Sequence, residues 1–341
     1  MGEKILLGLS GGVDSALSAC LLLEAGYEVH GLYLDAMGEG ERECAIHAAA
    51  ELGIPLTVRN VTAELEEDVC RPFREAYLRG ETPNPCVLCN PAVKMNFLLR
   101  EADRIGAEKI ATGHYVRSEN GRLYMGHPDN DQSYMLCRLF PHQARRLVLP
   151  LGSYSKKEVR AMAAVRGLTP AKKPDSMEIC FIPDQDHARY LELFAGDAIP
   201  RGRFLCDGEE LGENAGIHRY TVGQRWPGLY RERRLYVKEI LPESGDILLC
   251  RWEELFTKRF SVRDVRFLSP EETGERKFLC QVRIRHTRWE TPNAVFTPDG
   301  TGGGIVETET EVRAPAPGQA AAFYRDGELL GGGMIKKDGR S

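Results

Sequence analysis

The sequence contains 341 residues, which is too long for one hydrophobic core and predicts two or three domains. Hydrophobic residues make up 42%, charged residues make up 28% and the formal net charge is -5, so global disorder and a fibrous protein are excluded. No stretch approaches the roughly 18 apolar residues of a membrane span, and the glycine-broken start MGEKILLGLSGG does not resemble a targeting peptide. We therefore expect a cytoplasmic protein without a membrane partner.

The first part of the chain alternates short β-branched or leucine-rich runs with helical patterns. In chain order these segments are EKILLGL, ALSACLLLEAG, YEVHGLYLD, ECAIHAAAELG, PLTVRNV and AELEEDVCRPFREAYLRG. The order βαβαβα is typical of a Rossmann-like α/β domain with a parallel sheet covered by helices. Further helices are predicted at VKMNFLLREADRIG and KKEVRAMAAVRG, and a strand at KIATGHY. The second of these helices should begin at the capping box Ser155-x-x-Glu158 and end at Gly167.

After residue 200 the pattern changes to short alternating segments separated by glycine, proline and charged residues. Examples are RRLYVKEI, DILLC, KFLCQVRIRH, QAAAFYRD and ELLGGGMI. Such segments are typical of small β domains. We therefore predict an α/β domain at 1–200, a central β-rich domain at 201–260 and a β-barrel at 261–341.

A glycine-rich loop, Ser10-Gly11-Gly12-Val13-Asp14-Ser15, follows the first predicted strand and leads directly into a helix. Glycines let backbone amides approach an anion, serines add hydroxyl donors and the helix N-terminus contributes its dipole, so this loop predicts a phosphate site. It lacks the Lys-Ser/Thr ending of a Walker A loop and the G-x-G-x-x-G spacing of a dinucleotide site. The alternative is a glycine-rich turn that Ser15 caps.

The loop resembles the pyrophosphate loop of the N-type ATP pyrophosphatases, which split ATP between the α- and β-phosphates and transfer AMP to a substrate oxygen. The resemblance implies the chemistry but not the substrate, because this superfamily contains small-metabolite synthetases as well as tRNA sulfur transferases. An amide-forming synthetase acting on a small metabolite is therefore one alternative function. A non-catalytic nucleotide- or RNA-binding module that retains the fold is another.

Ten cysteines in a long chain without a signal peptide argue against a disulfide scaffold. Cys86 and Cys89 form a C-x-x-C in TPNPCVLCN, at 82–90, which we predict to be a proline-kinked loop between two helices. Cys89 should then lie where the following helix begins, and a cysteine at such a place can have its pKa lowered into the reactive range. Cys180 lies in EICFIP, at 178–183.

A local excess of positive charge lies between Arg138 and Lys173, where nine lysines or arginines accompany one acid, Glu158. This stretch is either a solvated surface or a footprint for the phosphates of a nucleic acid backbone. A footprint could include Arg145, Arg146, Lys156, Lys157, Lys172 and Lys173, and extend to Arg283, Arg285 and Arg288.

Strings spread over the whole chain closely resemble the tRNA-specific 2-thiouridylase family. They are SGGVDS, TPNPCVLCN, ATGHY, DNDQSYML, EICFIP, GIHRYTVGQR and PGQAAAFYRDGELLGGGMI. The resemblance implies that ATP with Mg²⁺ adenylates the 2-carbonyl oxygen of the wobble uridine and that a cysteine-borne sulfur then displaces AMP. It also implies that Cys89 is the nucleophile and that Cys180 carries a persulfide. Two thiols suit this chemistry, because a persulfide gives up its outer sulfur when a second thiolate attacks the inner one.

The resemblance implies binding roles as well, position by position. ATP contacts fall on Gly8, Leu9, Ser10, Gly11, Gly12, Val13, Asp14, Ser15, Leu34 and Gly113. Contacts with the target base fall on Asn84, Pro85 and Cys86, and contacts with the tRNA fall on His114, Asn130, Asp131, Gln132, Arg285, His286 and Gln319. For Asp14, Mg²⁺ binding, shaping of the loop and a plain helix cap are all open. For His114, the alternative is a hydrogen-bonded core histidine.

The implied partners are the anticodon stem-loops of tRNAs for Glu, Gln and Lys, together with an upstream sulfur donor, either a cysteine desulfurase or a relay protein. No DNA partner is expected.

One position departs from the family pattern. Many members carry Asp three residues before the nucleophile, where this chain has Cys86. A related group of tRNA thiolases binds a [4Fe-4S] cluster through a C-x-x-C and one distant cysteine, so Cys86, Cys89 and Cys180 are candidate ligands of such a cluster. A four-cysteine zinc site is disfavoured, because the sequence has no second C-x-x-C.

Overall fold

The strands of the computed structural model form three sheets. The structure describes residues 2–36, 39–169, 179–182, 184–269, 276–286 and 291–337. In these ranges the strands, numbered in chain order, are β1 Lys4–Gly8, β2 Glu28–Asp35, β3 Leu56–Asn60, β4 Lys109–Ala111, β5 Val116–Glu119, β6 Arg122–Met125, β7 Leu147–Val148, β8 Arg203–Cys206, β9 Glu209–Glu213, β10 Arg225–Tyr230, β11 Arg233–Leu241, β12 Asp246–Cys250, β13 Phe256–Phe267, β14 Phe278–Arg283, β15 Asn293–Pro298, β16 Gly304–Arg313, β17 Ala320–Arg325 and β18 Glu328–Ile335.

Most of the helices lie in the first 200 residues. The α-helices of the described ranges are α1 Val13–Glu24, α2 Glu39–Leu52, α3 Thr62–Leu65, α4 Arg71–Leu78, α5 Pro85–Cys89, α6 Met95–Ile105, α7 Pro141–Arg146, α8 Lys156–Val165 and α9 His187–Ala195. Two π-helical segments, Glu66–Cys70 and Asn90–Lys94, join α3 to α4 and α5 to α6. Short 3₁₀-helices lie at Ser133–Leu136, Gly196–Ala198, Ile217–Arg219 and Trp252–Leu255. Within the described ranges, no helix combines the length and the apolar character needed to cross a membrane.

A parallel sheet with the strand order β3-β2-β1-β4-β7 forms the centre of the N-terminal part and confirms the predicted Rossmann-like arrangement. Its central strand is buried on both faces. Ile5 and Leu7 pack in a cluster with residues of α1 and α2, whereas Leu6 packs in a cluster with residues of α6. This two-sided burial explains the continuous apolar run of β1. The carboxyl ends of these strands lie at one edge, where α/β sheets bind their ligands.

α8 forms as its capping box predicts. The backbone N–H of Ser155 donates to Glu158 Oε2 at 2.7 Å, and the backbone N–H of Glu158 donates to Ser155 Oγ at 3.3 Å. The helix ends at Val165, two residues before Gly167, whose φ of +71° lies in the left-handed region that terminates helices.

The second sheet, with the order β10-β11-β12-β8-β9, is built from residues 203–250 and is antiparallel except for the β12–β8 pair. Its apolar core contains Phe204, Val237 and Ile247. This sheet falls inside the predicted central β-rich segment, 201–260.

Six antiparallel strands close into the predicted C-terminal barrel in the order β13-β16-β15-β14-β17-β18, and β18 pairs back to β13. Phenylalanine rings fill its interior, with the Phe296 and Phe323 centroids 5.2 Å apart. Closure requires a glycine in β18, because a Cβ at Gly331 would lie 2.1 Å from the carbonyl oxygen of Arg266. β13 runs across the predicted division at 260/261, so a division directly before Phe256 would keep this strand whole.

A hairpin that the sequence patterns did not predict joins the α/β part to the barrel. β5 and β6 form this hairpin, and β6 pairs with β18 at Tyr124 and Glu328. Arg122 Nη1 lies 3.0 Å from Glu328 Oε1, which reinforces the pairing. One apolar cluster contains Leu98 and Ile110 from the α/β part together with Leu329 from the barrel. The barrel is therefore packed directly against the domain that carries the phosphate loop.

Candidate active site

The phosphate loop connects β1 to α1, and its own serines hold it in shape. Ser15 Oγ donates to the carbonyl oxygen of Gly12 at 3.0 Å and accepts from the backbone N–H of Ser10 at 3.2 Å. Gly11 has a φ of +78°, and a Cβ there would lie 2.5 Å from the carbonyl carbon of Cys44, so only glycine fits. The first N–H groups of α1, which have no partner within the helix, lie at the carboxyl edge of the sheet and suit an anion.

The carboxylate of Asp14 is engaged by the protein itself. Lys156 Nζ lies 2.8 Å from Oδ1 and 2.7 Å from Oδ2, and the Tyr115 hydroxyl donates to Oδ1 at 2.6 Å. Lys156 is the first residue of α8, so the ion pair ties α8 to the phosphate loop. Because both carboxylate oxygens accept hydrogen bonds from the protein, the geometry fits the loop-shaping role of Asp14, and a contact with Mg²⁺ stays a prediction.

Three residues predicted to contact ATP lie near the carboxyl ends of neighbouring strands: Gly8 in β1, Leu34 in β2 and Gly113 after β4. Gly113 packs against the first turn of α1, where a Cβ would lie 3.0 Å from the carbonyl carbon of Asp14 and 3.1 Å from Ser15 N. Any side chain at Gly113 would therefore press on the phosphate loop.

His114 follows Gly113 and hydrogen-bonds through Nδ1 to Thr112 Oγ1 at 2.7 Å. Burial, together with the nearby positive charge of Lys94, holds the pKa of His114 well below its usual value. The ring is therefore neutral at physiological pH. Its hydrogen bond to Thr112 agrees with the core-histidine alternative, so a contact of His114 with tRNA stays a prediction.

The C-x-x-C lies within a helix, which corrects the prediction of a loop between two helices. α5 begins at Pro85, and the side chain of Asn84 caps it by accepting from the backbone N–H of Cys86 at 3.1 Å. An Asn-Pro pair supplies both a cap and a preset φ at the first helical position, and so favours a helix start here. α5 then continues through the π-helical segment into α6, so Cys89 lies one turn inside the helix rather than at its beginning.

Cys89 and Cys180 lie close enough to influence each other electrostatically, although they are far apart in sequence. Burial raises the pKa of Cys89 to about 11; the charge and backbone N–H of Lys94 act against this shift, and Cys180 and Cys86 add to it. Burial also raises the pKa of Cys180, with Cys86 acting in the same direction and Lys94 against it. The expectation of a lowered pKa at Cys89 is therefore wrong for this structure, because burial outweighs the nearby positive groups.

Aromatic packing holds the segment that carries Cys180. The ring of Phe181 lies edge-on to Phe73 of α4, with centroids 5.4 Å apart, and 5.6 Å from Tyr190 of α9. Phe181 also joins Cys89 at the margin of one apolar cluster. These contacts hold the segment of Cys180 against the helix that carries Cys89. Cys180 is exposed as a residue, although the surrounding protein desolvates its thiol.

Metal binding by these thiols has no support in their arrangement. Over the described ranges, which include Cys86, Cys89 and Cys180, no three His, Cys, Asp or Glu side chains are grouped so that they could hold a metal ion. A [4Fe-4S] cluster held by the three cysteines therefore stays a prediction.

Comparison with known proteins covers almost the whole chain. A model described as "tRNA methyl transferase HUP domain" matches residues 3–184, and one described as "Aminomethyltransferase beta-barrel domain" matches residues 257–335. The tRNA-specific 2-thiouridylase MnmA of Carboxydothermus hydrogenoformans is 39% identical, over 98% of this chain and 98% of its own. The protein of the same name from Acidobacterium capsulatum is 40% identical, over 98% of this chain and 99% of its own. The chain belongs to the tRNA-specific 2-thiouridylase family.

Membership of the tRNA-specific 2-thiouridylase family confirms the resemblance drawn from the sequence motifs. A further relative named tRNA-specific 2-thiouridylase MnmA, from Chloroflexus aurantiacus, is 40% identical over 98% of both chains. Both matched segments agree with the observed architecture, since the first covers the parallel sheet and the second covers the barrel.

The residues at 130–132, which the 2-thiouridylase resemblance assigns to tRNA contact, have partners within the protein. Asn130 Oδ1 accepts from the backbone N–H of Lys156 at 3.1 Å. Asp131 is buried, and its Oδ2 accepts from Arg283 Nη1 at 2.5 Å. Gln132 Oε1 accepts from the backbone N–H of Tyr115 at 3.1 Å. These side chains stabilise the surroundings of the phosphate loop, and their contact with tRNA stays a prediction.

Gln319, from the barrel, braces the segment that carries the predicted base contacts Asn84, Pro85 and Cys86. Its Nε2 donates to the carbonyl oxygen of Thr82 at 2.8 Å. Arg285 Nη2 donates to the carbonyl oxygen of Ala314 at 2.9 Å, and the ring of His286 lies 6.4 Å from that of Tyr134. Arg288 lies outside the described residues.

Three of the nine basic residues in the stretch at 138–173 are paired with acids from other parts of the chain. Arg146 Nη1 lies 2.6 Å from Asp103 Oδ1, Arg166 Nε lies 2.9 Å from Glu24 Oε1, and Lys156 pairs with Asp14. Lys172 and Lys173 lie outside the described residues. For the three paired residues, the structure favours a role within the protein over a phosphate footprint.

Lys94 is the residue of this site that sequence reasoning missed. It ends the π-helical segment and acts electrostatically on Cys89, Cys180 and His114. The sequence does contain a signal, a lysine five residues after Cys89 with Pro91 between them. A proline inside a helix favours a wide π-turn, and such turns often occur at functional sites.

Proposed function

We propose that this protein is a tRNA sulfurtransferase that converts the wobble uridine of tRNA to 2-thiouridine and releases AMP and pyrophosphate. The observation that carries the proposal is the pair of thiols, Cys89 and Cys180, beside Lys94 in a domain whose first loop suits phosphate. Lys94 also acts on His114, the neighbour of Gly113, which packs against that loop. This arrangement supports placing the phosphate loop and the thiols in one site.

In the first step, ATP with Mg²⁺ binds with its phosphates against the loop at 10–15. The 2-carbonyl oxygen of the uridine attacks the α-phosphorus, the bond to pyrophosphate breaks, and the loop amides stabilise the charge on the departing pyrophosphate. This step turns a poor leaving oxygen into a good leaving group. Asp14 shapes the loop through Lys156 and Tyr115, and we assign it no metal.

In the second step, the outer sulfur of a Cys180 persulfide attacks C2 of the uridine, and the bond between C2 and the AMP oxygen breaks. The Cys89 thiolate then attacks the inner sulfur, on Cys180, so the sulfur–sulfur bond of the persulfide breaks and its electrons remain on the thiouridine sulfur. A Cys89–Cys180 disulfide results, and a thiol reductant reopens it. Lys94 stabilises the Cys89 thiolate during the attack.

The [4Fe-4S] cluster is the alternative route for the sulfur. It requires Cys86, Cys89 and Cys180 as joint ligands, and the lack of any three-ligand group in the described part of the chain favours the persulfide route instead. In that route Cys86 is an exposed thiol beside the nucleophile.

The supply of sulfur and the choice of tRNA complete the proposal. Cys180 is exposed, which suits delivery of a persulfide by a cysteine desulfurase or a relay protein. We propose the tRNAs for Glu, Gln and Lys as substrates and the cytoplasm as the place of action. An amide-forming synthetase of a small metabolite would leave both thiols and the barrel without a use.

The test is a reaction with ATP, tRNA and a persulfide donor, followed by analysis of both the nucleotide and the digested RNA. We expect AMP and pyrophosphate to form in the same molar amount as a modified uridine, whose mass has increased by the exchange of one oxygen for one sulfur. Release of ADP and phosphate would contradict the proposal. So would a mass increase equal to a methyl group, or AMP formation that depends on a small amine and not on RNA.

A further inference from the structure

A cavity of about 540 Å³ lies where α4 and α5 face the barrel, apart from the thiols. Ala76, Leu88 and Arg266 are among the residues that line it. Cys86 and Cys89, three residues apart, share one face of α5, whereas Leu88 projects from a different face. The cavity is therefore distinct from the site of the proposed sulfur chemistry, although the same helix borders both.

The cavity contains more positive than negative charge. Four arginines line it, Arg79, Arg138, Arg263 and Arg266, together with two acids, Glu81 and Asp264. Both acids already have arginine partners. Arg263 Nη2 bonds both oxygens of Glu81, at 3.0 and 3.1 Å, and its Nη1 lies 3.1 Å from Asp264. Arg79 Nη2 lies 3.3 Å from Glu81.

The other two arginines have no such partner. Arg138 is only 6% exposed, and its Nε is buried without a hydrogen-bond partner. Arg266 lies beside it, since Arg266 Nη1 donates to the Arg138 carbonyl oxygen at 3.3 Å and its guanidinium stacks 4.3 Å from the centroid of the Phe140 ring. Within the described residues, neither guanidinium has a carboxylate at ion-pair distance.

Two adjacent guanidinium groups in this position are costly without a counter-charge. Burial lowers the pKa of Arg138, and the positive charge of Arg266 acts in the same direction. Arginine nevertheless remains protonated in proteins, so the charge cannot be relieved by loss of a proton. The carboxylate of Asp264 acts in the opposite direction on the pKa of both arginines, but its described ion pair is with Arg263. Burying a charge without a close partner is unfavourable, and an anion bound in the cavity would reduce that cost.

We propose that this cavity binds a phosphate group of the RNA backbone, with Arg138 and Arg266 as its ligands. Planar guanidinium groups suit phosphate, because each can donate two parallel hydrogen bonds to it. We choose RNA as the source of the phosphate group because of the proposed function, on which this inference rests, and because of where the cavity lies. Pro83 and Gly318 also line the cavity, and they are direct neighbours of Asn84 and Gln319. An RNA whose base reaches the start of α5 thus has its backbone beside the cavity.

The test compares tRNA binding by the wild type, Arg138→Met and Arg266→Met over a series of salt concentrations. Loss of one phosphate contact should make the slope of log K against log salt shallower by about 0.7 to 0.9 and weaken binding roughly threefold to tenfold at low salt. Arg79→Met is the matched control, because Arg79 lines the same cavity but is already paired with Glu81. Its slope should equal that of the wild type.

A second measurement separates a binding role from a structural one. Inorganic phosphate should raise the Tm of the wild type above its value in chloride of equal ionic strength, because a ligand of the folded state stabilises it. Arg138→Met should show a smaller response than the wild type, because only the phosphate loop at 10–15 remains to bind phosphate. Its Tm in chloride should stay the same or increase, since methionine removes a buried charge. If Arg138→Met does not fold, Arg266→Met, at a half-buried position, provides the same comparison.

Each result decides between distinct outcomes. Unchanged slopes in both variants overturn the proposal, even where the wild type thiolates tRNA normally. A Tm response to phosphate that is smaller in Arg138→Met, with unchanged tRNA binding, assigns the cavity to free phosphate and overturns the RNA assignment. A wild type that fails to thiolate, but whose variants show the shallower slope, contradicts the proposed function and leaves the phosphate site supported.

Discussion

Replacement of Gly113 by alanine should damage ATP activation, whereas the same replacement at Gly8 should not. At Gly113 the new Cβ would lie 3.0 Å from the carbonyl carbon of Asp14 and 3.1 Å from Ser15 N. Favourable contacts between such atoms begin at about 3.5 Å, so the first turn of α1 must move by roughly half an ångström. The obstacle is helical backbone, which cannot rotate away as a flexible side chain can.

The expected magnitude follows from this displacement. Overpacking of this kind costs about 1–3 kcal/mol of stability. A misplacement of about 1 Å can reduce a rate by about 10²-fold, so half that shift should slow pyrophosphate release roughly tenfold. At Gly8 the corresponding Cβ would meet its nearest atoms, in Thr112, Ala111 and Leu98, at 3.7–3.8 Å, which are ordinary contacts. A glycine can contact ATP only through its backbone, and this replacement keeps that backbone.

The assay is tRNA-dependent pyrophosphate release at saturating ATP, with thermal unfolding of both variants as the check on folding. We expect Gly113→Ala to be slow and Gly8→Ala to resemble the wild type. Wild-type rates in Gly113→Ala would refute the reasoning, because they would show that the loop tolerates the shift. Equal damage in both variants would refute it as well, since the contact distances would then not decide the outcome.

Three further predictions concern the cysteines. Cys89→Ser and Cys180→Ser should each abolish thiolation and leave ATP binding nearly intact, whereas Cys137→Ser, a buried packing thiol, should change little; normal turnover in Cys180→Ser would overturn the persulfide assignment. Burial raises the pKa of Cys89 to about 11, so the thiolate fraction, and with it the sulfur-transfer rate, should increase up to tenfold per pH unit between about pH 7 and 9. A single-turnover rate that does not change with pH in this range would contradict the prediction. Anaerobically reconstituted wild type and Cys86→Ala should contain equally little iron and sulfide; iron bound by the wild type alone, together with iron-dependent thiolation, would restore the cluster route.

The sequence predicted correctly those structural features that depend on residues close together in the chain. The capping box of α8 involves residues three apart, and the buried run of β1 and the glycines of the phosphate loop are contiguous in sequence. Each of these could be predicted because the residues that determine the structure are neighbours in the chain.

The features that escaped prediction depend on distant residues. The partners of Asp14 are Tyr115, which lies 101 residues away, and Lys156, which lies 142 residues away. No local pattern could show that these residues contact its carboxylate. The pKa of Cys89 is set mainly by burial, which cannot be read from the sequence. The expected position of Cys89 at a helix start therefore led to the prediction of a lowered pKa, whereas the pKa is raised. The one arginine of the basic stretch that is deeply buried, Arg138, was likewise indistinguishable from its surface neighbours.

The hairpin at β5 and β6 has a consequence for how the protein unfolds and how it can be divided. Independent domain motion is the usual expectation where interfaces are small and polar, but here a strand pairing and a common apolar cluster cross the junction. Loss of the barrel would expose Tyr134 and Leu136 to water, since both pack in the cluster that contains Ala320, Tyr324 and Leu329. The two parts should therefore melt in a single cooperative transition, and a fragment that ends before the barrel should aggregate rather than fold.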